Sequence, residues 1–483
     1  MSPAGIASFV VTFEEARRIV EQHAARVLAA RNNPGVTEIV DLAAARGRVL
    51  AEAILADRDF PPFARTTRDG YAVRAEDVQA VPARLKVVGE IRAGSALEAV
   101  GGSITVNRGE AVLIMTGAPL AAGADAVVMV EQTAVAEPAQ SGDLTHPNAA
   151  KGGASGWGTL AKFVEIRRSV KTGENFVPPG AEARAGQLLI DQGQRLNHAL
   201  IGLAAAVGKG RVQVYRKPRV AVLSTGDELV EIDATPGAAQ IRNSNSFSLA
   251  AQIEEAGGEA VRLPIAPDEP ARLRALIEEG LSCDLLLLTG GVSMGKYDLV
   301  EQVLAEIGAE FYFTGAKIQP GKPVVFGACG GSHPNAAKNA ALGWGTLGSV
   351  RAAAADKMAA RTGMSAPHYF FGLPGNPVST MVTFRLFAQP MIEALAGAKP
   401  EPLTFLKARL KSEVRTKTGL TRFLPALISG EFENAEVELA AWQGSGDIAA
   451  QARANCYLVI PPNLERIEAG AAISILLRSP GLG

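Results

Sequence analysis

Cysteine is scarce in this chain, and a surplus of charge is absent. Three cysteines, Cys283, Cys329 and Cys456, are spread over 483 residues. Their number is odd and their spacing matches no ligand pattern, which argues against a disulfide framework and a structural zinc site. Lysine and arginine number 48 against 49 aspartates and glutamates, a formal net charge of −1. Without a basic surplus there is no argument for a nucleic-acid footprint. No run reaches the roughly 18 apolar residues of a membrane helix, so no membrane partner is expected. Met1–Val11 lacks the basic start and apolar core of a secretory signal. The default expectation is the cytoplasm.

What is present is an ordinary soluble composition, 47% apolar and 20% charged, on a chain too long for one core. Roughly two to four domains are expected. Three glycine-rich turns stand out, each after an apolar, strand-like run. Ser224-Thr225-Gly226-Asp227-Glu228 follows Arg219–Leu223. Thr289-Gly290-Gly291-Val292-Ser293 follows Leu285–Leu288. Gly372-Leu373-Pro374-Gly375-Asn376-Pro377 follows Tyr369–Phe371. A strand ending in Gly and Ser or Thr before a helix leaves backbone N–H groups pointing outward. The helix N-terminus adds positive character, so phosphates fit there.

The surrounding texture supports this. Phe13–Ala30 has helical spacing with Thr12 as its N-cap. Val40–Leu50 reads as a short strand and Ala51–Ala56 as a helix. From about 60 to 140 short runs alternate (Leu85–Ile91, Ile104–Val106, Ala126–Val130), as in a small β-rich domain. After Arg216-Lys217-Pro218 strands and helices alternate: Val220–Ser224, Ser246–Ala256, Ala260–Ile265, Glu269–Glu279, Leu285–Thr289 and Leu299–Ile307. Strands apolar throughout predict a parallel sheet covered on both faces, with ligands outside its carboxyl ends. All three turns fall at such ends. From about 400 onward short runs (Phe405–Leu410, Ala435–Ala440, Cys456–Ile460, Ala472–Leu477) predict a small β-barrel or sandwich.

One segment occurs twice. His146–Leu160 and His333–Leu347 share 12 of 15 residues. Two copies so far apart are not a solenoid. They read as two inserted surface loops, with a shared contact of Trp157 and Trp344 as the alternative.

Carboxylates beside a phosphate-binding turn imply a cation between them, and magnesium commonly bridges the two. Asp227, Glu228, Asp268 and Asp298 are the candidate ligands, with an N-cap as the alternative for Asp268. Before a helix, Arg242-Asn243-Ser244-Asn245-Ser246 offers either a cap (Asn245 or Ser246) or amide recognition of a heterocycle edge by Asn243 or Asn245. In Gln319-Pro320-Gly321-Lys322-Pro323, a turn between prolines presents one lysine, either to an anion or to solvent.

Together these segments resemble the molybdopterin molybdenumtransferase family, the MoeA-type proteins and the gephyrin E domain. The matching residues are Arg68-Asp69-Gly70-Tyr71-Ala72-Val73, Met115-Thr116-Gly117-Ala118-Pro119, and Gly123–Met129 with Glu131. They continue through Pro218–Leu229, Gly290–Gly295 with Asp298, Pro320–Pro323 and Gly372–Ser379. The resemblance covers nearly the whole chain apart from the two repeats. It implies a transferase of molybdenum cofactor biosynthesis. Such an enzyme inserts molybdate into adenylylated molybdopterin, releases AMP and requires a divalent cation, usually Mg2+. The implied fold is multidomain α/β plus β: elongated mixed N-terminal domains, a central parallel three-layer α/β domain of the molybdopterin-binding type, and a small C-terminal β-barrel. The implied boundaries are 8–217 (β-rich part about 60–140, insert about 140–163), 218–397 (insert about 330–367) and 398–480. A homodimer is implied, its cleft closed by the partner's N-terminal domains. A molybdopterin adenylyltransferase and molybdoenzymes are the implied protein partners.

The site set follows. Asp227, Glu228, Asp298 and Lys322 are the expected catalytic residues. Thr225, Gly226, Asn243, Asn245, Gly290, Gly291, Ser293, Gly375, Asn376 and Pro377 are expected to bind the pterin nucleotide, with Asp69, Thr116 and Ser445. Three positions depart from the family pattern. Ala64 stands where many members carry an acid, Gln319 where many carry lysine, and Gly419-Leu420 where a Gly-Arg pair is usual. Arg65, Arg68 or Arg422 then becomes the candidate for oxyanion charge, since planar guanidinium suits bidentate binding. The alternative function is a scaffold of the same fold that binds molybdopterin and has lost turnover. A lone adenylyltransferase is disfavoured, because it would lack the Arg68–Val73 and Met115–Pro119 segments and the C-terminal β region.

Overall fold

The computed structural model describes residues 9–30, 36–94, 104–136, 163–291, 299–330 and 367–478. Helix α1 (Phe13–Ala30) opens with a capping box. The Glu15 N–H donates to Thr12 Oγ1 at 3.2 Å, and the Thr12 N–H donates to Glu15 Oε2 at 2.9 Å. Two orphan donors are satisfied at once. The apolar stripe Ala16, Val20 and Ala24 is fully buried against the central sheet's core. The described residues within 1–52 therefore cluster with those of 192–201 and 211–483 in one compact body, and those within 53–191 and 202–210 form a second.

The first body is built on β1 (Arg219–Ser224), α2 (Ser244–Glu255), β2 (Glu259–Arg262), α3 (Pro270–Gly280), β3 (Leu285–Thr289) and α4 (Leu299–Glu306). β4 (Glu310–Phe313), β5 (Val325–Cys329), β6 (His368–Leu373), α5 (Pro377–Thr383) and α6 (Gln389–Leu395) complete it. The sheet order is β2-β1-β3-β6-β5-β4, parallel from β2 to β6. At the far edge β5 is antiparallel to both neighbours. No helix lies between Phe313 and Val325 to carry a crossover, so the chain returns antiparallel. The period-2 geometry of strands sorts the residues onto two faces. Val220, Val222, Leu285, Leu287, Tyr369 and Phe371 face α1, α2 and α6. Ala221, Leu223, Leu286, Leu288 and Phe370 face α3 and α4. This is the three-layer arrangement expected from uniformly apolar strands.

The C-terminal strands are β7 (Phe405–Leu410), β8 (Thr421–Ser429), β9 (Glu436–Leu439), β10 (Cys456–Ile460) and β11 (Ala472–Leu477). Each pairs with two others around the ring β7-β11-β10-β8-β9, which closes a five-stranded barrel. Ala408, Leu410, Leu424, Ala426, Val437, Leu458, Ile460, Ile473 and Ile475 fill its interior. Phe423, Tyr457, Val459 and Leu476 join the central sheet's core instead. Phe423 meets Phe13 edge-on at 5.1 Å.

The second body is a six-stranded sheet in the order Ala126–Met129, Gly70–Val73, Glu110–Ile114, Ala83–Ile91, Phe163–Ile166, Thr133–Ala136. Tyr71, Val73, Leu85 and Val128 pack on one face, and Ala72, Ile91, Val112 and Val127 on the other. Leu85 and Ile91 would share a face by spacing; a register shift between Val87 and Gly89 separates them.

Three local expectations are corrected. Ala51–Ala56 is not a helix, because Ile54–Leu55 is a strand paired with Leu188–Ile190. The preceding strand runs Thr37–Asp41 and pairs with Arg211–Tyr215. Ile104–Val106 contributes only an isolated bridge, Thr105 to Ala122. Both repeats, His146–Leu160 and His333–Leu347, lie outside the described residues, as do Trp157 and Trp344. Among the described residues no helix is long and apolar enough to cross a membrane.

Candidate functional site

The three glycine-rich turns come together because β1, β3 and β6 are adjacent and parallel. After β1 the chain crosses to β2 on one side and then to β3 on the other, which opens a crevice at their carboxyl ends. A cleft of about 360 Å³ sits there. Its walls include Ser224, Thr225, Glu228, Asn243, Asn245, Thr289, Gly290, Gly291, Gly375, Asn376 and Pro377.

Glycine is required at the base. Gly290 has φ +90°, and a Cβ there would collide with the Thr225 carbonyl oxygen. Gly291 has φ +62°, and its Cβ would lie 2.7 Å from Val300 Cγ2. Between the second and third turns, a Cβ on Gly375 would stand 3.5 Å from the Gly290 Cα. Backbone therefore meets backbone, and a ligand meets peptide groups rather than side chains.

The amides tie the turns together. Asn243 is the N-cap of α2, in place of Asn245 or Ser246. Its Oδ1 accepts from the Ser246 N–H at 3.2 Å and from the Ser224 hydroxyl at 3.0 Å. That buried oxygen is spent on the fold. Asn245 does the bridging: its Nδ2 donates to Thr289 Oγ1 at 2.9 Å and to the Gly375 carbonyl at 2.7 Å. Its Oδ1 is buried and has no partner among the described residues. From the barrel, Ser445 reaches the third turn. The Ser445 carbonyl caps the Val378 N–H at 3.0 Å, and Asn376 Nδ2 donates to Ser445 Oγ at 2.9 Å.

The acids divide. Glu228 lines the cleft. Gly226, at φ +142°, permits this, because a Cβ on Gly226 would strike the Glu228 carboxylate. Asp227 Oδ1 instead accepts from the Asp268 N–H at 3.1 Å, and Thr225 Oγ1 donates to Asp268 Oδ1 at 3.3 Å. Asp268 is not the N-cap of α3; Glu269 is, with no side-chain cap bond. Among the described residues no three His, Cys, Asp or Glu gather as a metal site. Ser293 and Asp298 lie outside the described residues. Lys322 is exposed beside the cleft-lining Pro323. Its carbonyl accepts from the Ala316 and Val324 N–H groups, both at 3.0 Å.

Asp69 and Thr116 belong to the second body and bind each other. The Thr116 N–H and hydroxyl donate to Asp69 Oδ1 at 2.6 and 2.8 Å. These bonds, the backbone one foremost, hold the Asp69 carboxyl below its usual range. Of the arginine candidates, Arg65 is paired with Glu182 at 2.7 Å. Arg422 is buried, in register with Ile460, and donates to the Leu420 carbonyl at 3.1 Å. Arg68 is exposed. Leu229 and Ile241 line the cleft outside the residues expected to bind, and so do Ser224, Thr289 and Pro374, which belong to the three turns. Thr289 was visible within the second turn; an exposed isoleucine in a short strand carries no such signal.

The chain matches three family descriptions in order. They are "MoeA N-terminal region (domain I and II)" over residues 11–208, "Probable molybdopterin binding domain" over 221–394, and "MoeA C-terminal region (domain IV)" over 407–477. A molybdopterin molybdenumtransferase from Nostoc sp. is 33% identical over 449 residues, covering 91% of this chain and 88% of that protein. The chain belongs to the molybdopterin molybdenumtransferase family. Another relative of that name, from Haemophilus influenzae, is 31% identical over 448 residues, covering 92% of this chain and 94% of its own. The crystal structure of the molybdopterin biosynthesis MoeA protein from Pyrococcus horikoshii superposes with a TM-score of 0.67 at 25% identity. The match covers 97% of this chain and 100% of that one. The molybdopterin-binding and C-terminal regions both lie in the first body, which also takes in residues 11–52 and 192–201 of the N-terminal region.

Proposed function

We propose that this chain is a transferase of molybdenum cofactor biosynthesis, inserting molybdate into adenylylated molybdopterin with release of AMP. The observation that carries this is the cleft itself: three glycine turns on adjacent parallel strands, converging where a phosphorylated ligand is bound in such sheets. Thr225, Gly226, Gly290, Gly291, Asn245, Gly375, Asn376 and Pro377 would hold the pterin nucleotide, with Asn243 shaping the wall and Ser445 fixing the third turn. Lys322 would offer charge to an anion beside Pro323. Asp69 and Thr116 would act through the backbone they order. The implied boundaries of 8–217, 218–397 and 398–480 are supported by the family matches over 11–208, 221–394 and 407–477.

The donor chemistry fits magnesium, since Asp227, Glu228, Asp268 and Asp298 offer only oxygen. Gly226 leaves the room that Glu228 needs. When bound, the cation would neutralise phosphate oxygens. We further propose a cytoplasmic homodimer, served by a molybdopterin adenylyltransferase and serving molybdoenzymes. Nothing in the described site favours a scaffold without turnover.

The test is AMP release by purified protein given adenylylated molybdopterin, magnesium and molybdate. Release that depends on molybdate is expected. Binding of the pterin nucleotide with no AMP formed would overturn the reading.

A further inference from the structure

The cleft has two kinds of wall. Its floor is polar and rich in backbone, with Thr225, Asn245, Thr289 and the glycines. Part of its rim is aliphatic. Ile241 lines the cleft and is 58% exposed. Leu229, also on the cleft wall, is its register partner in a short parallel ladder, Leu229–Val230 against Ile241–Arg242. Register partners send their side chains out of the same face, so the two aliphatic groups form one strip.

The strip is anchored at both ends. The Leu229 N–H donates to the Gly226 carbonyl at 3.1 Å, the Ile241 N–H to the Glu228 carbonyl at 2.8 Å, and the Asn243 N–H to the Val230 carbonyl at 2.9 Å. One end is thus tied to the first glycine turn and the other to the cap of α2. Two adjacent aliphatic side chains on the wall of a cleft leave a joint apolar face open to water. Ligand sites pair such faces with a few polar groups that fix orientation.

We propose that Leu229 and Ile241 form the platform for a planar heterocycle of the phosphorylated ligand, and that Ile241 positions that ring while the glycine floor holds the phosphate. This rests on the reading of the cleft given above. The ligand class is a phosphate ester of a purine or a pterin, both flat rings with poorly hydrated faces. A ring stacked on the strip covers what the fold leaves exposed.

Calorimetric titration of the full-length protein tests this, with AMP, a pterin monophosphate and inorganic pyrophosphate as probes. Ile241→Ala is expected to weaken one ring-bearing probe about tenfold, the scale of lost apolar contact in a ligand pocket, and to leave pyrophosphate unchanged. Ile241→Leu restores binding. The ring-bearing probe that weakens identifies the ring on the strip. In turnover, Ile241→Ala raises KM for adenylylated molybdopterin with kcat unchanged, because the contact is made equally in ground and transition states. Unchanged binding of both ring probes overturns the proposal, and so does an equal loss for pyrophosphate. If the wild-type protein binds none of the three probes, the reading of the cleft falls first.

Discussion

Both bodies of this protein carry a six-stranded sheet with two apolar faces and motif residues at strand ends, yet they spend those residues differently. At the carboxyl ends of β1, β3 and β6 the glycines leave a cleft, and Asn245 braces its walls from the side. In the second body the motif closes on itself. Asp69 takes both donors of Thr116, and a Cβ on Gly70 would collide with the Val128 carbonyl. A motif marks where the chain is constrained. The destination of its hydrogen bonds tells whether that constraint faces a ligand or the protein.

The most severe way to break this contrast is at Gly290. Alanine there must move away from the Thr225 carbonyl and adopt φ +90°, which L side chains rarely do. A displacement of about 1 Å at a reacting site costs on the order of 100-fold in rate. Gly290→Ala is therefore expected to lose about that much molybdate-dependent AMP release. Retained release would mean that the second turn does not contact the substrate.

Asn245→Ala comes next. It removes two hydrogen bonds that hold the second and third turns, worth about 2 kcal/mol together. Substrate KM is expected to rise by up to about 30-fold, at about 1.4 kcal/mol per decade, and the melting temperature to fall. Asn245→Asp keeps an acceptor but loses the donor to the Gly375 carbonyl, so it should not rescue. Rescue by Asp would place the function in Oδ1 rather than in the bridge.

Much of this geometry was legible in the chain, for reasons that differ by element. Phe13–Ala30, Leu285–Thr289, Cys456–Ile460 and Ala472–Leu477 occupy the segments that periodicity predicted, because each buries a continuous face; Phe405–Leu410 does so too, although it buries only Ala408 and Leu410. The three turns were legible because a strand ending in glycine has few other uses. The antiparallel β5 was not, since a fully apolar run such as Val325–Cys329 looks the same in either direction. Nor was Ser445 on the third turn, which depends on a contact with Asn376, 69 positions away in the chain. The cap at Asn243 was displaced from the expected Asn245 or Ser246 for a local reason. Asn243 reaches the Ser224 hydroxyl as well as the Ser246 N–H, and neither alternative residue offers both.

The smallest expected effect lies in the second body, and its sign separates the two uses of a motif. Asp69 is exposed, and its carboxyl is held below the usual range by the Thr116 N–H and hydroxyl. A carboxyl depressed in the folded state contributes stability above its unfolded value, about 3.9, and loses it as pH falls through the folded value. Asp69→Asn removes that contribution. At neutral pH its melting temperature should drop by only a few degrees, as befits hydrogen bonds at an exposed site. Below about pH 4 the wild-type protein should lose stability more steeply than the variant, so the two curves converge. Parallel curves across that range, together with weakened binding of the pterin nucleotide, would move Asp69 from the self-satisfied class to the ligand-facing one. Thermal melts from about pH 3 to pH 7 read the first quantity and calorimetry the second, so stability and binding are judged apart.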